Sequence, residues 1–175
     1  MRLETDRLVI RSFQPSDAAG MLAVFGDPEV RRYLPSFPDP TLQTMEASVA
    51  RRMAMERDHG HGLWAVERKD TGELIGDCGL MLVEGTGPEV EIAYHYRRSA
   101  WNTGYGTEAA VACLAHGFGP IGLERIIAIC YPENVGSWRV MEKAGMTYEA
   151  TATYYGIAGL KKYVADGPTW RPPQA

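Results

Sequence analysis

The stretch Trp101-Asn102-Thr103-Gly104-Tyr105-Gly106-Thr107-Glu108-Ala109-Ala110 decides how the rest of this chain is read. Gly104 and Gly106 lack a Cβ, which lets backbone approach a ligand closely. Thr107, Glu108 and the alanines behind them open a run of strong helix formers that continues through Cys113 and Leu114 to Gly117. A glycine turn that feeds a helix start presents unpaired N–H groups and the positive end of the helix dipole, an arrangement suited to phosphate. Three readings are open on these residues alone. The turn can seat a diphosphate on main-chain donors, it can be a dinucleotide fingerprint, or it can be a plain helix start. Gly104-x-Gly106-x-x-Ala109 does fit G-x-G-x-x-G/A. That fingerprint needs its strand to end at the first glycine, early in a βαβ unit. Here the nearest strand-like run is Glu89 to Tyr96, with polar Arg97 to Thr103 in between, which weighs against it.

Upstream, Arg7 to Phe13 alternates and predicts a first strand, with Leu8 and Ile10 opposite Arg7, Val9 and Arg11. Ser16 predicts the N-cap of a helix over Asp17 to Phe25, and Pro28 opens a short helix to Tyr33. Three prolines make Leu34 to Pro40 a loop, after which Thr41 caps a helix to about Asp58. His59-Gly60-His61-Gly62 ends it; with no carboxylate or Cys partner nearby, the two histidines predict a C-cap and exposed loop and no metal. Leu63 to Arg68 and Leu74 to Val83 form a hairpin about Lys69–Glu73, and Gly76 and Gly79 predict bends or close backbone approach. Glu84 to Pro88 turns the chain into the Glu89 to Tyr96 strand, so the sheet begins antiparallel.

Downstream, the central helix leads to an apolar strand, Arg125 to Tyr131, and strand–helix–strand predicts a local parallel pair. Val135 to Ala144 is a helix with Gly145 after it, and Thr147 to Tyr155 and Leu160 to Val164 make a last hairpin about Gly156 and Gly159. The expected organisation is one domain over residues 1–165, followed by a Pro-rich, loose tail over 166–175.

The chain has 175 residues and a formal charge of −4, which argues against a dedicated nucleic-acid surface. Cys78, Cys113 and Cys130 are unpaired in sequence and sit in apolar elements, as expected of buried thiols in a reducing cytoplasm. The start, MRLETDRLVIR, has charges interrupting its apolar positions and does not resemble a signal peptide, and no run suffices to span a membrane.

EIAYHY (91–96), WNTGYGTEA (101–109) and YPENVGSWRVMEKAGM (131–146), with TDRLVIRSF (5–13) and YYG…KKYV (154–164), resemble the GNAT N-acetyltransferases, most of all their RimJ/RimL-like branch. The resemblance covers nearly the whole chain. It implies an α+β fold in α/β/α layers: a mixed, mostly antiparallel sheet of about seven strands with a splayed centre, and about four to five helices. It implies acetyl-CoA as co-substrate, with the diphosphate on main-chain donors of Trp101, Asn102, Thr103, Gly104, Tyr105, Gly106 and Thr107. Trp101 stands where much of the family has Arg or Gln, so no charged first residue contributes. The pantetheine arm is expected between Glu89–Tyr96 and Arg125–Tyr131, on main-chain groups of His95 and Tyr96 and on Asn134 and Ser137.

For chemistry, the resemblance places Glu91 as base, against the alternative of an ordinary solvent-facing carboxylate. It places Ser137 as acid on the leaving sulfur, with Tyr94, Tyr131, Tyr154 and Tyr155 as rivals. Asn134 is also a good N-cap, and His95 is a further candidate base. The implied activity is acetyl transfer to a primary amine, a protein N-terminus or a small amine, by direct attack in a ternary complex. The acceptor wall would come from the N-terminal helices, the Leu34–Pro40 loop and the last hairpin. A non-catalytic acyl-CoA-binding module and a nucleotide-dependent oxidoreductase are the competing readings, and a homodimer is suggested by analogy with relatives.

Overall fold

The computed structural model describes residues 1–34 and 37–173, so Pro35 and Ser36 of the expected 34–40 loop, and Gln174 and Ala175 of the tail, lie outside the described residues. Eight strands form one sheet: β1 (Arg2–Glu4), β2 (Leu8–Arg11), β3 (Leu63–Arg68), β4 (Leu74–Leu82), β5 (Val90–Tyr96), β6 (Arg125–Cys130), β7 (Thr147–Tyr154) and β8 (Ile157–Asp166). Their spatial order is β1-β2-β3-β4-β5-β6-β8-β7. Every neighbouring pair is antiparallel except β5–β6, which is parallel. The helices are α1 (Ala18–Phe25), α2 (Pro28–Arg31), α3 (Leu42–His59), α4 (Tyr105–Phe118) and α5 (Val135–Lys143).

Two apolar clusters, one on each side of the sheet, give the expected layers. Leu114, Cys113 and Ala110 of α4 and Met141 of α5 pack with Trp64, Cys78, Leu80, Ile92 and Ile126. Met21, Val24 and Phe25 of α1 and Met45 and Val49 of α3 pack with Leu63 and Ala65. Burying such side chains supplies about 1.5–3 kcal/mol each.

Local chemistry explains the helix ends. Thr41 Oγ1 accepts from Thr44 N at 3.1 Å, and Gly60 closes α3 with φ of 75°. Ser16 is not a cap. Asp17 holds that corner instead, accepting from Gln14 N at 2.7 Å and from both terminal nitrogens of Arg11 at 2.8 Å, so Pro15–Asp17 form a 3-10 turn and α1 starts at Ala18. His61 is also not on an exposed loop: it is buried, with Nδ1 2.9 Å from the Leu80 carbonyl oxygen.

Strand β1 is an addition to the expected set, and Val9 is buried together with Leu8 and Ile10 where alternation put it outside. Gly76 and Gly79 do mark close approach: a Cβ there would lie 2.0 Å from the His95 carbonyl oxygen and 2.1 Å from that of Gly62. The last hairpin turns at Tyr155-Gly156, both with positive φ (53° and 72°), and β8 begins earlier than expected. The described part of the tail is docked: Trp170 Nε1 donates to the Ala144 carbonyl at 2.9 Å and the ring packs on Phe118.

Candidate active site

Strands β5 and β6 are paired at one register position among the described residues, Glu91 opposite Ile127. Beyond it β5 runs on to Tyr96 and β6 to Cys130 without pairing, which opens a wedge between two parallel strands. The main-chain groups lining such a wedge need partners, and an extended chain inserted there would supply them. At the open end, β5 leads to the glycine turn and β6 to α5.

The turn is shaped by backbone conformation. Asn102 and Gly104 have φ of 59° and 87°, and Gly104 is the N-cap of α4 with no side chain capping the helix. The first N–H groups of α4 are therefore free of a side-chain partner and carry the positive end of a 14-residue helix. The two glycines have different reasons. A Cβ on Gly104 would sit in a left-handed conformation 3.2 Å from Arg7 Nη2, whereas one on Gly106 would press Val140 and Tyr96 at 3.3 and 3.5 Å. Gly106 thus lets α4 seat against α5 and the end of β5.

The surrounding side chains brace this turn. Trp101, exposed, donates Nε1 to the Tyr96 carbonyl at 2.8 Å, and Thr103 Oγ1 donates to Ala100 O at 2.7 Å. Arg7, which the sequence did not single out, donates to Thr103 O at 3.0 Å, pairs with Glu108 at 2.7 Å and lies over the Tyr105 ring at 4.6 Å. The Tyr96 ring is buried, and its main-chain carbonyl is taken by Trp101. Asn134 caps α5, accepting from Ser137 N at 3.3 Å. Tyr94, beneath α5, donates its hydroxyl to the Ser137 carbonyl at 2.8 Å and lies 3.2 Å from Ser137 Oγ. Burial pushes the Tyr94 phenol up, and it pushes the Cys130 thiol to about 11, which leaves both protonated at neutral pH.

The opposite face of β5, toward α1 and α3, carries Glu91, Ala93 and His95 at alternate positions. Glu91 is only 6% exposed, not the solvent-facing carboxylate of the alternative reading. Burial raises its pKa to about 7, against opposing effects of the Tyr155 hydrogen bond and the charge of His95. Tyr155, at the tip of the last hairpin, donates its hydroxyl to Glu91 Oε1, and its own N–H is held by Glu84 at 2.7 Å. The rival tyrosines are thereby separated: Tyr94 meets Ser137, Tyr154 meets Glu89 at 2.8 Å, Tyr155 meets Glu91, and Tyr131 packs beside Tyr33. Phe37 stacks on Phe25 at 4.6 Å and Phe25 meets the His95 ring at 5.3 Å, giving this face of β5 an aromatic side.

His95 Nδ1 lies 2.7 Å from Asp77, a fully buried carboxylate that also pairs with Arg52 at 2.8 Å. Asp77 and Arg52 were missed from the sequence. The available signal was a charged residue inside an apolar strand, opposite His95 in a hairpin whose register only the structure provides. Arg139 and Lys143 of α5 are exposed, as a solvated helix face requires. Among the described residues no group of three or more His, Cys, Asp or Glu could hold a metal, and no helix is long and apolar enough to cross a membrane.

The site thus combines a splayed parallel pair, a glycine turn at a helix start and a buried carboxylate on the other face of the same strand. Residues 7–147 match the family model described as the acetyltransferase (GNAT) domain, and the chain belongs to that family of N-acetyltransferases. It is 38% identical over 152 residues to the uncharacterized protein YkkB of Bacillus subtilis, covering 86% of this chain and 87% of that one. It is 32% identical to the uncharacterized N-acetyltransferase YoaA of the same organism, covering 87% and 86%. Among solved structures, a GNAT-family acetyltransferase from Bacillus anthracis superposes with a TM-score of 0.82 at 28% identity, over 96% of this chain and 99% of that one. RimL, a ribosomal L7/L12 α-N-protein acetyltransferase solved with coenzyme A, shares the fold with a TM-score of 0.79 at 14% identity, over 95% and 98%.

Proposed function

We propose that this chain transfers an acetyl group from acetyl-CoA to a primary amine, a small amine or a protein N-terminus, by direct attack while both substrates are bound. Acetyl-CoA would lie in the wedge between β5 and β6, on main-chain groups of His95 and Tyr96 and beside Asn134 and Ser137. Its diphosphate would rest on the turn from Trp101 to Thr107. The fit rests on the uncapped first turn of α4 and the unpaired stretches of β5 and β6; RimL, with this fold, is solved with coenzyme A.

The observation that carries the catalytic reading is the burial of Glu91 in the cleft with a pKa raised to about 7. A base matched to neutral pH takes a proton from an ammonium-derived amine far better than an ordinary carboxylate. Oε1 is engaged by Tyr155, and no bond among the described residues occupies Oε2, which leaves that oxygen for the amine or a bridging water. On the other side of β5, Ser137 Oγ supplies the proton to the departing sulfur and is reprotonated from water, while Tyr94 holds the Ser137 carbonyl from 2.8 Å. The test is release of free thiol from acetyl-CoA against phenethylamine, spermidine and an Ala-initiated tripeptide, with Glu91→Gln alongside. Transfer to at least one amine, reduced about 100-fold in the variant with unchanged coenzyme affinity, is expected; equal loss of coenzyme binding removes Glu91 as the base.

A further inference from the structure

We propose that His95 is a second proton acceptor in the amine cleft, presented in a single tautomer by a buried Asp77–Arg52 pair; this rests on the amine-acetylation reading above. Asp77 and His95 stand directly opposite each other in the β4–β5 hairpin. Asp77 is wholly buried, and each of its oxygens is assigned. Oδ1 lies 2.7 Å from His95 Nδ1, and Oδ2 accepts from Arg52 Nε at 3.2 Å and Nη2 at 2.8 Å. Arg52 is in turn held by Ser48 Oγ and lies 5.8 Å over the Phe25 ring. An ionised carboxylate only accepts, so the hydrogen between Asp77 and His95 sits on Nδ1 and the neutral ring keeps its lone pair on Nε2. No bond among the described residues uses Nε2, the side chain is 19% exposed, and Phe25 backs the ring at 5.3 Å.

Among the described residues, the charged and titratable groups that the contacts and charges place about the ring are Asp77 from β4, Arg52 from α3 and Glu91 on its own strand; α1 contributes Phe25. Asp77 and Arg52 offset each other, so the pair adds little net charge and serves chiefly to orient. A buried ion pair is an expensive way to fill a core, since apolar residues of similar volume serve stability as well or better. Orientation of His95 gives this one a use.

The chemistry has room for two acceptors. An amine that enters as an ammonium gives up one proton before it can attack and a second once bonded to the acetyl carbon. In the first step an N–H bond of the ammonium breaks, a bond to His95 Nε2 forms, and the nitrogen lone pair becomes free for the thioester carbonyl. The imidazolium then passes its proton to water. Glu91 takes the second proton. His95 is then a catalytic residue, and Asp77 and Arg52 are positioning residues.

The test uses the full chain, labelled with 15N-histidine and saturated with coenzyme A, together with acetyl transfer to phenethylamine. The neutral His95 ring is expected to carry its proton on Nδ1 in the wild type and to lose that preference in Asp77→Asn. His95→Ala is expected to lower kcat/KM about 100-fold without changing coenzyme affinity, and added imidazole to restore part of the rate. Asp77→Asn can be unstable because it leaves Arg52 less well paired; the wild-type spectrum and the His95→Ala rescue do not depend on it. A wild-type ring protonated on Nε2, or a His95→Ala enzyme that imidazole does not rescue, overturns this inference alone. A wild type that transfers acetyl to none of the amines overturns the acceptor reading and this inference with it.

Discussion

The glycine turn at the end of β5 presents free main-chain N–H groups among exposed side chains, whereas the cleft on the face toward α1 and α3 is built from buried charge. Trp101, Asn102, Thr103 and Gly104 are all exposed, and their neighbours Arg7 and Glu108 tie the β1–β2 connection to the first turn of α4. Asp77 and Glu91 are buried carboxylates that fare differently. Burial pushes the Asp77 carboxyl up, but the charges and hydrogen bonds of His95 and Arg52 outweigh that and hold it below its usual value. Glu91 has no ion-pair partner among the described residues; burial outweighs the Tyr155 hydrogen bond and the charge of His95, and it is raised to about 7. The contrast teaches that the two ends of one strand offer different physics: helix-start dipoles that cost nothing to keep in water and suit an anion, and carboxylates taken out of water whose proton affinity their neighbours set.

The largest effect that would break this contrast is at Asp77. Asp77→Ala strands the Arg52 guanidinium, whose side chain is 12% exposed, and is expected to destabilise the fold by about 3–5 kcal/mol in urea unfolding. A loss below about 1 kcal/mol would show that water reaches Arg52 and that the pair is not truly buried.

Next is Glu91. Its carboxyl ionises near 4.5 in an unfolded chain and near 7 in the folded one, so between these values the folded chain keeps a proton that the unfolded chain has released. Stability therefore falls as pH rises through that window and stays lower above it. Glu91→Gln is expected to be more stable than wild type by up to ~3 kcal/mol at about pH 8, with the difference fading toward pH 4. Parallel curves for the two proteins across pH would place Glu91 in solvent.

Gly104→Val probes the other region. A branched residue at φ of 87° beside Arg7 is expected to cost about 1–2 kcal/mol of stability and at least ~10-fold in coenzyme A affinity by calorimetry. Unchanged affinity would make the turn a purely structural helix start. The smallest effect sharpens the cleft. Tyr155→Phe removes the hydrogen bond that opposes burial at Glu91, so the pH at which activity rises should move upward with little change in stability, about 1 kcal/mol or less. A downward shift would mean that the phenol favours the protonated carboxyl.

The α/β/α order, the parallel crossover through α4 and the glycine turn at the start of α4 were legible because each depends on a few adjacent residues. Glycine before Tyr105, alanines after it, Thr41 before Leu42 and Asn134 before Val135 act within one turn of chain, through φ limits, helix propensity and capping. Ser16 and His61 were misread for the complementary reason. Asp17 outcompeted the nearby hydroxyl with the help of Arg11, and a carbonyl on another strand claimed the imidazole. The amino-acid sequence by itself determined the succession of most strands and helices, the caps of α3 and α5, the family, and the residue types available for chemistry. Tertiary structure alone decided that Glu91 is buried, that Tyr155 rather than Tyr154 reaches it, and that His95 meets Asp77. Those facts follow from strand register and from which layer covers each face of the sheet, and both are set by contacts between residues far apart in the chain.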